Sequence, residues 1–445
     1  MDISGKVEKM IIFIIFFVMF SLNKKQLIAI DAVKKKQNVF LTGPPGTGKS
    51  FTLKEIIQTL KTNNTKYIVT SSTGCSAVLI NGQTIHSYFS LGIGDVSVDN
   101  VIKKLKMYPP KFKQILELKT LIIDEISMVD LALFEKISKI LQKVKNNNEP
   151  FGGIQLIIVG DFCQLSPVNG DYCFLSKVWE ECHFTNIILN EYIRQKTDND
   201  FQNILAEIRF GKCSKKSFSR LTLLKKTKYN GIVPTKLFSL ATHVDAINKY
   251  NYEKNLPKLS NIIQCYPPTI EEDFTNVSNY NENDIMQYNA ISNDKKMKTT
   301  DYIINLYKGL QVMVTRNVNI EKGLINGTMG TIISLSPSYV QIIDQNKTKF
   351  TIYYHKDMNE NTKTFVKFMP IKLAYAISIH KSQGATLDAI EVDGGTCIFA
   401  PGQLYTALSR AKDLKSIKII DIDKDSFICN KNVKQFYEEI IENEQ

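Results

Sequence analysis

The chain has no C-x-x-C pair, no histidine at metal-ligand spacing and no internal repeat of solenoid period. Its eight cysteines (Cys75, Cys163, Cys173, Cys182, Cys213, Cys265, Cys397 and Cys429) are scattered. Neither a disulfide framework nor a zinc-finger site is indicated, and reduced, unmetallated thiols of an intracellular protein, nuclear or cytoplasmic, are expected. Long apolar runs are also missing. Met10 to Phe20, behind Lys6 and Lys9, has the outline of a signal-peptide core but is too short to span a bilayer comfortably. It reads as a buried or interfacial helix, or as sequence ahead of a working initiator at Met19, and secretion is not expected. Acidic residues are the scarcer charge, 44 against 56 basic ones for a formal net +12. That balance favours a polyanionic partner such as nucleic acid.

What is present carries more. With 445 residues and 43% apolar content the chain can bury two or more cores. Gly43-Pro44-Pro45-Gly46-Thr47-Gly48-Lys49-Ser50 fits the P-loop pattern in full. The chemistry asks for glycines where the backbone curls around an anion, a lysine to reach the β and γ oxygens, and a hydroxyl for Mg²⁺. Lys49 and Ser50 fill the last two places. Asn38 to Thr42 reads as the strand before the loop. Phe51 to Leu60, free of Pro and Gly, reads as a helix whose positive N-terminus faces the phosphates. ATP and Mg²⁺ are the expected ligands.

A second apolar strand, Thr120 to Ile123, ends on Asp124-Glu125. Asp124 is expected in the Mg²⁺ shell, and Glu125 as the base that aligns and deprotonates the attacking water. Leu133, Phe134, Ile137, Ile140, Leu141 and Val144 recur at helical spacing, and Ile154 to Val159 is a fully apolar strand. Strand and helix thus alternate, the signature of a parallel sheet covered on both faces. The pattern restarts at Thr235 to Ser239, Ala389 to Val392 and Ile417 to Ile420, which predicts a second α/β domain. Asn255 to Thr300 is rich in Asn, Asp, Lys and Pro and reads as an irregular insertion. Short β-rich runs from Tyr302 to Tyr354, with a turn at Asp344 to Lys347, predict a small barrel or meander.

In their order, these segments resemble a superfamily one DNA helicase of the Pif family, in its 5′-to-3′ branch, from Leu22 to about Ile420. Leu22 to Gln26 stands at the Q-motif, which makes Gln26 the adenine reader by resemblance. Asp124 to Asp130 resembles the second motif, and Pro150 to Leu156 the family's own signature region. Gly160 to Val168 is similar to motif III, so that Gln164 corresponds to the γ-phosphate sensor. Glu191 to Gln195 resembles motif IV and contributes Arg194, Ser378 to Leu387 resembles motif V, and Gly402 to Arg410 resembles motif VI and contributes Arg410. Both arginines are expected to reach the γ-phosphate from the second domain and stabilise the developing charge. Ser166, Tyr375 and Pro45 stand where the family usually has proline, tryptophan and alanine, and none of these departures removes a phosphate-contacting group.

The resemblance implies an α/β fold of two RecA-like P-loop NTPase domains with a small β-barrel insertion in the second. An apolar segment (1–21) is followed by domain 1 (22–185, with a small insertion at about 92–117). Domain 2 begins at 186–300, including the polar insertion 255–300, and resumes at 366–445 after the barrel at 301–365. It implies a magnesium-dependent ATP hydrolase that moves on single-stranded DNA and unwinds forked duplex in replication, repair or recombination. Single-strand motors use cationic grooves with aromatic or small-residue contacts. Thr73, Gly74, His86, Tyr88, His380, Lys381 and Ser382 are the candidates for that track. A RecD-like helicase, a catalytically silent nucleic-acid-binding module and a membrane-tethered nucleotidase are the rival readings. High Lys and Asn content is consistent with an AT-rich, including a viral, genome.

Overall fold

The computed structural model describes residues 22–73, 76–77, 80, 82–91, 96–193, 198–229, 234–256, 264–266, 269–272, 304–316, 318–319, 322, 324, 328–344, 347–359, 364–387 and 389–442. The Met10 to Phe20 segment, Gly74, Arg194 and most of the 255–300 insertion lie outside them. Among the described residues no helix is long and apolar enough to cross a membrane.

Contacts divide the chain into two compact units. One holds the residues up to Phe218 together with Ala400–Asp413 and the chain from Phe427 on; the other holds Ser219–Phe399 and Leu414–Ser426.

The first unit is built on six strands, β1 (Val39–Thr42), β2 (Tyr67–Ser71), β3 (Gln83–Thr84), β4 (Thr120–Asp124), β5 (Gln155–Val159) and β6 (Thr185–Ile188). They lie in the order β3-β2-β4-β5-β1-β6, and every pairing is parallel. Strands β1 and β4 are buried throughout, which is why they read as unbroken apolar runs rather than alternating ones. The helix Lys49–Thr62 buries Thr52, Leu53, Ile56 and Leu60, one stripe at helical spacing, against a core that includes Val39, Leu41, Ile122, Ile157 and Val159. On the other side Phe40 meets Phe162, Trp179 and Phe436 at centroid distances of 5.5, 5.3 and 6.0 Å. Phe436 belongs to the helix Lys431–Glu442, so the end of the described chain is part of this core.

The family-signature region has a packing role. In the turn Pro150–Gly153, Phe151 and Gly152 adopt φ of 53° and 66°. The Phe151 ring lies 4.8 Å from that of Phe134, and its N–H donates to the Ser138 hydroxyl at 2.9 Å. This fixes the helix Leu131–Lys145, which Asp130 caps by accepting from the Leu133 N–H.

The second unit contains a four-stranded sheet in the order Ala376–Ser378, Thr235–Phe238, Ile390–Gly394, Ile417–Ile422, again parallel throughout. The predicted β-rich stretch is an antiparallel five-stranded sheet, ordered Lys349–Tyr353, Tyr339–Ile343, Met329–Ser336, Gln311–Val314, Ile371–Leu373. Its core holds Leu306, Val312, Val314, Ile332, Val340 and Ile342. The protein is thus a mixed α/β fold with parallel sheets.

The contact division groups the segment that carries Arg410 with the first unit. The stretch from 366 on is not all of one unit, because Ala400–Asp413 and the chain from Phe427 pack with the first. Gly402 lies so close to the Gln164 carbonyl that a Cβ there would overlap it, and Tyr405 and Tyr437 both hydrogen-bond to Asp161.

Candidate active site

The loop of Lys49, the Asp124-Glu125 pair and the segment from Gly160 lie at the carboxyl ends of the parallel strands β1, β4 and β5, where open α/β sheets hold ligands. The loop after β1 turns through left-handed glycines, with φ of 138° at Gly43, 87° at Gly46 and 91° at Gly48. At Gly48 the φ of 91° favours glycine, and a Cβ there would lie 2.7 Å from Gln26 Nε2. The following helix begins at Lys49 with no side-chain cap, which leaves its first-turn N–H groups to bind an anion. Lys49 Nζ donates to the carbonyls of Gly43 at 2.6 Å and Pro44 at 3.0 Å. Burial pulls its amine down to about 8, against the raising effect of Asp161, Glu125 and Asp124. The Thr47 hydroxyl donates back to the Pro44 carbonyl, bracing the loop, and the Ser50 side chain is exposed.

Gln26 stands in the third position of the helix Lys24–Lys34, in a capping box: its Oε1 accepts from the Asn23 N–H, and Asn23 Oδ1 accepts from the Gln26 N–H, both at 2.9 Å. That fixes which way the amide points. Nε2 is left buried beside Gly48 without a protein partner, an arrangement that suits a ligand acceptor over the loop.

Asp124 ends β4 and is 8% exposed. Burial, then the charge of Glu125, pushes its carboxyl up to about 7, while the Glu125 N–H bond at 2.9 Å and Lys49 pull the other way. Glu125 has φ 52° and ψ 49°, a left-handed conformation rare for glutamate. Its carbonyl accepts from the Ser72 hydroxyl at 3.0 Å, and Gly160 gives it room, since a Cβ there would stand 2.9 Å from the Ile126 nitrogen.

Gln164 and Arg410 come together, with Arg410 Nη2 3.5 Å from Gln164 Oε1. Arg410 is 3% exposed, and its guanidinium donates to the Thr406 carbonyl at 3.0 Å and the Ser409 hydroxyl at 2.8 Å.

Sequence reasoning missed the polar cluster directly beneath. Asp161, fully buried, accepts from Arg209 Nη2 at 3.0 Å, from Tyr405 and Tyr437 hydroxyls at 3.0 Å each, and from the Cys163 N–H at 3.2 Å. The Tyr437 hydroxyl also pairs with Thr42 at 2.6 Å. Burial raises the Asp161 carboxyl, but Arg209 and Lys49 outweigh it and hold the group below its usual value. An acid at the end of an apolar strand signals a demand for partners; their identity is set by residues 48 to 276 positions away. Arg209→Met leaves this carboxylate buried and uncompensated, and is expected to cost about 3–5 kcal/mol in urea unfolding. Adding Asp161→Asn should restore part of that loss.

The candidates for a DNA track divide. His86 is exposed on the short helix Ile85–Tyr88, which Thr84 caps, and Thr73 bonds to Ser76 at 2.7 Å. Tyr88 is core instead: it is 3% exposed, and its ring packs edge-on to Phe89 at 4.9 Å. Ser382 is fully buried, donating to the Ile379 carbonyl to close its helix. In the second unit, Lys381 is exposed and lines a groove with Lys249, Tyr252, Asn248 and Lys372, while burial lowers the His380 imidazole.

A parallel sheet with a glycine-cradled lysine after β1 and a carboxylate pair after β4, with β5 between the two strands, defines a P-loop α/β protein. The description of PIF1-like helicases matches residues 21–219, and that of the DNA helicase Pif1 2B domain matches 301–335. The ATP-dependent DNA helicase PIF1 of Danio rerio is 33% identical, over 94% of this chain and 64% of its own. The ATP-dependent DNA helicase Pif1 of Bdellovibrio bacteriovorus is 31% identical, over 94% of this chain and 92% of its own. The crystal structure of Pif1 helicase from Candida albicans superposes with a TM-score of 0.82 at 30% identity, covering 95% of this chain and all of that one. That of Bacteroides Pif1 in complex with ADP-AlF3 and ssDNA gives 0.72 at 26% identity, covering 96% and 98%. The chain belongs to the PIF1-like helicase family. It spans 64% of the length of the vertebrate PIF1 it matches.

Proposed function

We propose that this protein is an ATP-dependent DNA helicase that moves 5′ to 3′ along single-stranded DNA and opens forked duplex, in replication, repair or recombination. The observation that carries the reading is the gathering in one unit of the Lys49 loop, the Asp124-Glu125 pair and the Gln164–Arg410 contact. In this reading Lys49 and the first-turn N–H groups bind the phosphates of ATP, and Gln26 Nε2 donates to the base. Oxygen donors from Ser50 and Asp124 suit a hard cation and would hold Mg²⁺, which supplies charge neutralisation at the phosphates. Glu125 takes the proton of the attacking water, and Gln164 and Arg410 bind the γ-phosphate. Arg194 joins them by motif resemblance alone.

The DNA track is proposed along Thr73, Gly74, His86, His380 and Lys381, with Lys249, Lys372 and Tyr252 added from the groove of the second unit; cations interleaved with an aromatic ring suit a strand held without regard to sequence. The finer reading of the fold is two RecA-like domains, with 301–365 as a small β-barrel insertion in the second. The 2B-domain match at 301–335 supports it. The free thiols of Cys163, Cys173, Cys182, Cys213, Cys397 and Cys429 support work inside a cell.

The test is ATP hydrolysis with and without single-stranded DNA. Turnover is expected to rise with DNA and to vanish in Lys49→Ala, which should still bind the strand. Hydrolysis indifferent to DNA, or equal in the variant, contradicts the reading.

The pH dependence of nucleotide binding follows from two groups. Asp124 must lose its proton to hold a cation, so with its carboxyl at about 7 binding weakens as pH falls through that value. Lys49 must keep its proton to hold phosphate, so with its amine at about 8 binding weakens as pH rises through that value. Mg²⁺·ATP affinity should therefore peak between the two and fall by up to about tenfold per pH unit on either side. Calorimetry across pH checks it; Asp124→Asn should flatten the acid limb alone.

A further inference from the structure

Three donor side chains that the nucleotide site does not use converge in the second unit. One ring nitrogen of His243, one carboxylate oxygen of Asp393 and the sulfur of Cys397 all lie within 4.8 Å of one another, and all three residues are half-buried. The Cys397 Sγ stands 3.9 Å from His243 Nδ1. They come from three segments of the chain. His243 is in the first turn of the helix Ala241–Asn255, which follows the strand Thr235–Phe238; Asp393 is on the neighbouring strand Ile390–Gly394, and Cys397 follows three residues past that strand's end. The two strands are parallel, with Leu237 opposite Val392. The cluster therefore sits at their carboxyl ends, the side on which α/β sheets bind ligands.

The surroundings hold each donor in place. The Phe238 ring stands edge-on to the imidazole, with centroids 5.9 Å apart and an interplanar angle of 88°. The Ser239 hydroxyl donates to the Cys397 carbonyl, joining the end of one strand to the loop after the other. The Gly395 N–H donates to Asp393 Oδ1 at 3.2 Å and orients that carboxylate.

We propose that His243, Asp393 and Cys397 bind one zinc-class divalent cation, with water completing a tetrahedron. A mixed sulfur, nitrogen and oxygen set suits Zn²⁺, whereas Mg²⁺ and Ca²⁺ require oxygen alone. Zn–S and Zn–N bonds of about 2.3 and 2.0–2.1 Å set tetrahedral sulfur and nitrogen about 3.5 Å apart. The observed 3.9 Å closes to that with a shift of a few tenths of an ångström. Binding releases the thiol proton to solvent and leaves a thiolate on the metal. It ties the first turn of Ala241–Asn255 to the loop after Ile390–Gly394. The same helix carries Lys249 and Tyr252 of the cationic groove, so the cation would brace one wall of it. This site stands independently of the helicase reading.

The experiment is a titration of the metal-free full-length chain with Co²⁺, a spectroscopic stand-in for Zn²⁺. A thiolate-to-cobalt charge-transfer band with intense tetrahedral d–d bands is expected, saturating at one equivalent and displaced by Zn²⁺. Co²⁺ held by oxygen donors at the P-loop gives only weak octahedral bands. Cys397→Ser and His243→Ala should abolish the band or bind at least about tenfold more weakly, tenfold being the lower end of what losing even an outer-shell partner costs. Cys213→Ser, at another half-buried thiol, should keep it. Should either ligand variant misfold by circular dichroism, Asp393→Asn decides, since it keeps the thiolate and should show the band at weakened affinity. A parent without the band, a band that survives Cys397→Ser in the folded protein, or unchanged affinity in Asp393→Asn overturns the site.

Discussion

Arg410→Ala is expected to lower single-stranded-DNA-stimulated ATP turnover by about 10³- to 10⁵-fold, the range that an arginine acting on a transferring phosphoryl group supplies. Arg410 is set up for such a task. It is 3% exposed, and bonds to the Thr406 carbonyl and Ser409 hydroxyl fix the orientation of its fork. Nη2 meets Gln164 Oε1 at 3.5 Å, which brings together the two side chains proposed at the γ-phosphate. A buried guanidinium already oriented needs little reorganisation when charge develops beside it. Arg410→Lys should rescue poorly, because it keeps the charge but loses the planar fork. Single-turnover hydrolysis at saturating DNA is the measurement. A variant within about threefold of the parent, roughly 0.65 kcal/mol in barrier height, would make Arg410 a structural residue.

Glu125→Gln carries the second large effect. The amide keeps the shape and loses the base, so turnover should fall by about 10²–10⁴-fold while Mg²⁺·ATP affinity stays near the parent's. The backbone supports a positioned group. Glutamate seldom adopts φ 52°, and here the Ser72 bond to its carbonyl and the room left by Gly160 maintain it. A fall in kcat without a matching rise in KM marks an interaction made in the transition state. Equal losses in affinity and turnover would assign Glu125 to binding instead.

The parts of the site legible in the sequence are those whose chemistry is contiguous. The Lys49 loop needs its glycines, lysine and hydroxyl within eight residues, and apolar β1 before it and the helix Lys49–Thr62 after it announce the context. Asp124-Glu125 is legible for the same reason, as two acids closing a buried strand. The Asp161 cluster is not, because Arg209, Tyr405 and Tyr437 reach one carboxylate from three distant segments. His243, Asp393 and Cys397 escaped for a related reason. Metal-ligand spacing along the chain is a property of hairpins and single helices, whereas these donors meet only when parallel strands pair. The burial of Tyr88 was not legible either: its ring packs edge-on to Phe89 and it is 3% exposed, although it stands close to a polar loop in sequence. The assignment of Ala400–Asp413 to the first unit was equally hidden, since its flanking strands belong to the second.

The most direct test of the proposed activity is strand separation on duplexes with a single-stranded tail on one end only. With ATP and Mg²⁺ the protein is expected to unwind the 5′-tailed duplex and leave the 3′-tailed one intact, and Lys49→Ala should unwind neither while still binding the tail. Equal unwinding of both substrates, preference for the 3′ tail, or no ATP-dependent strand release at all would contradict it.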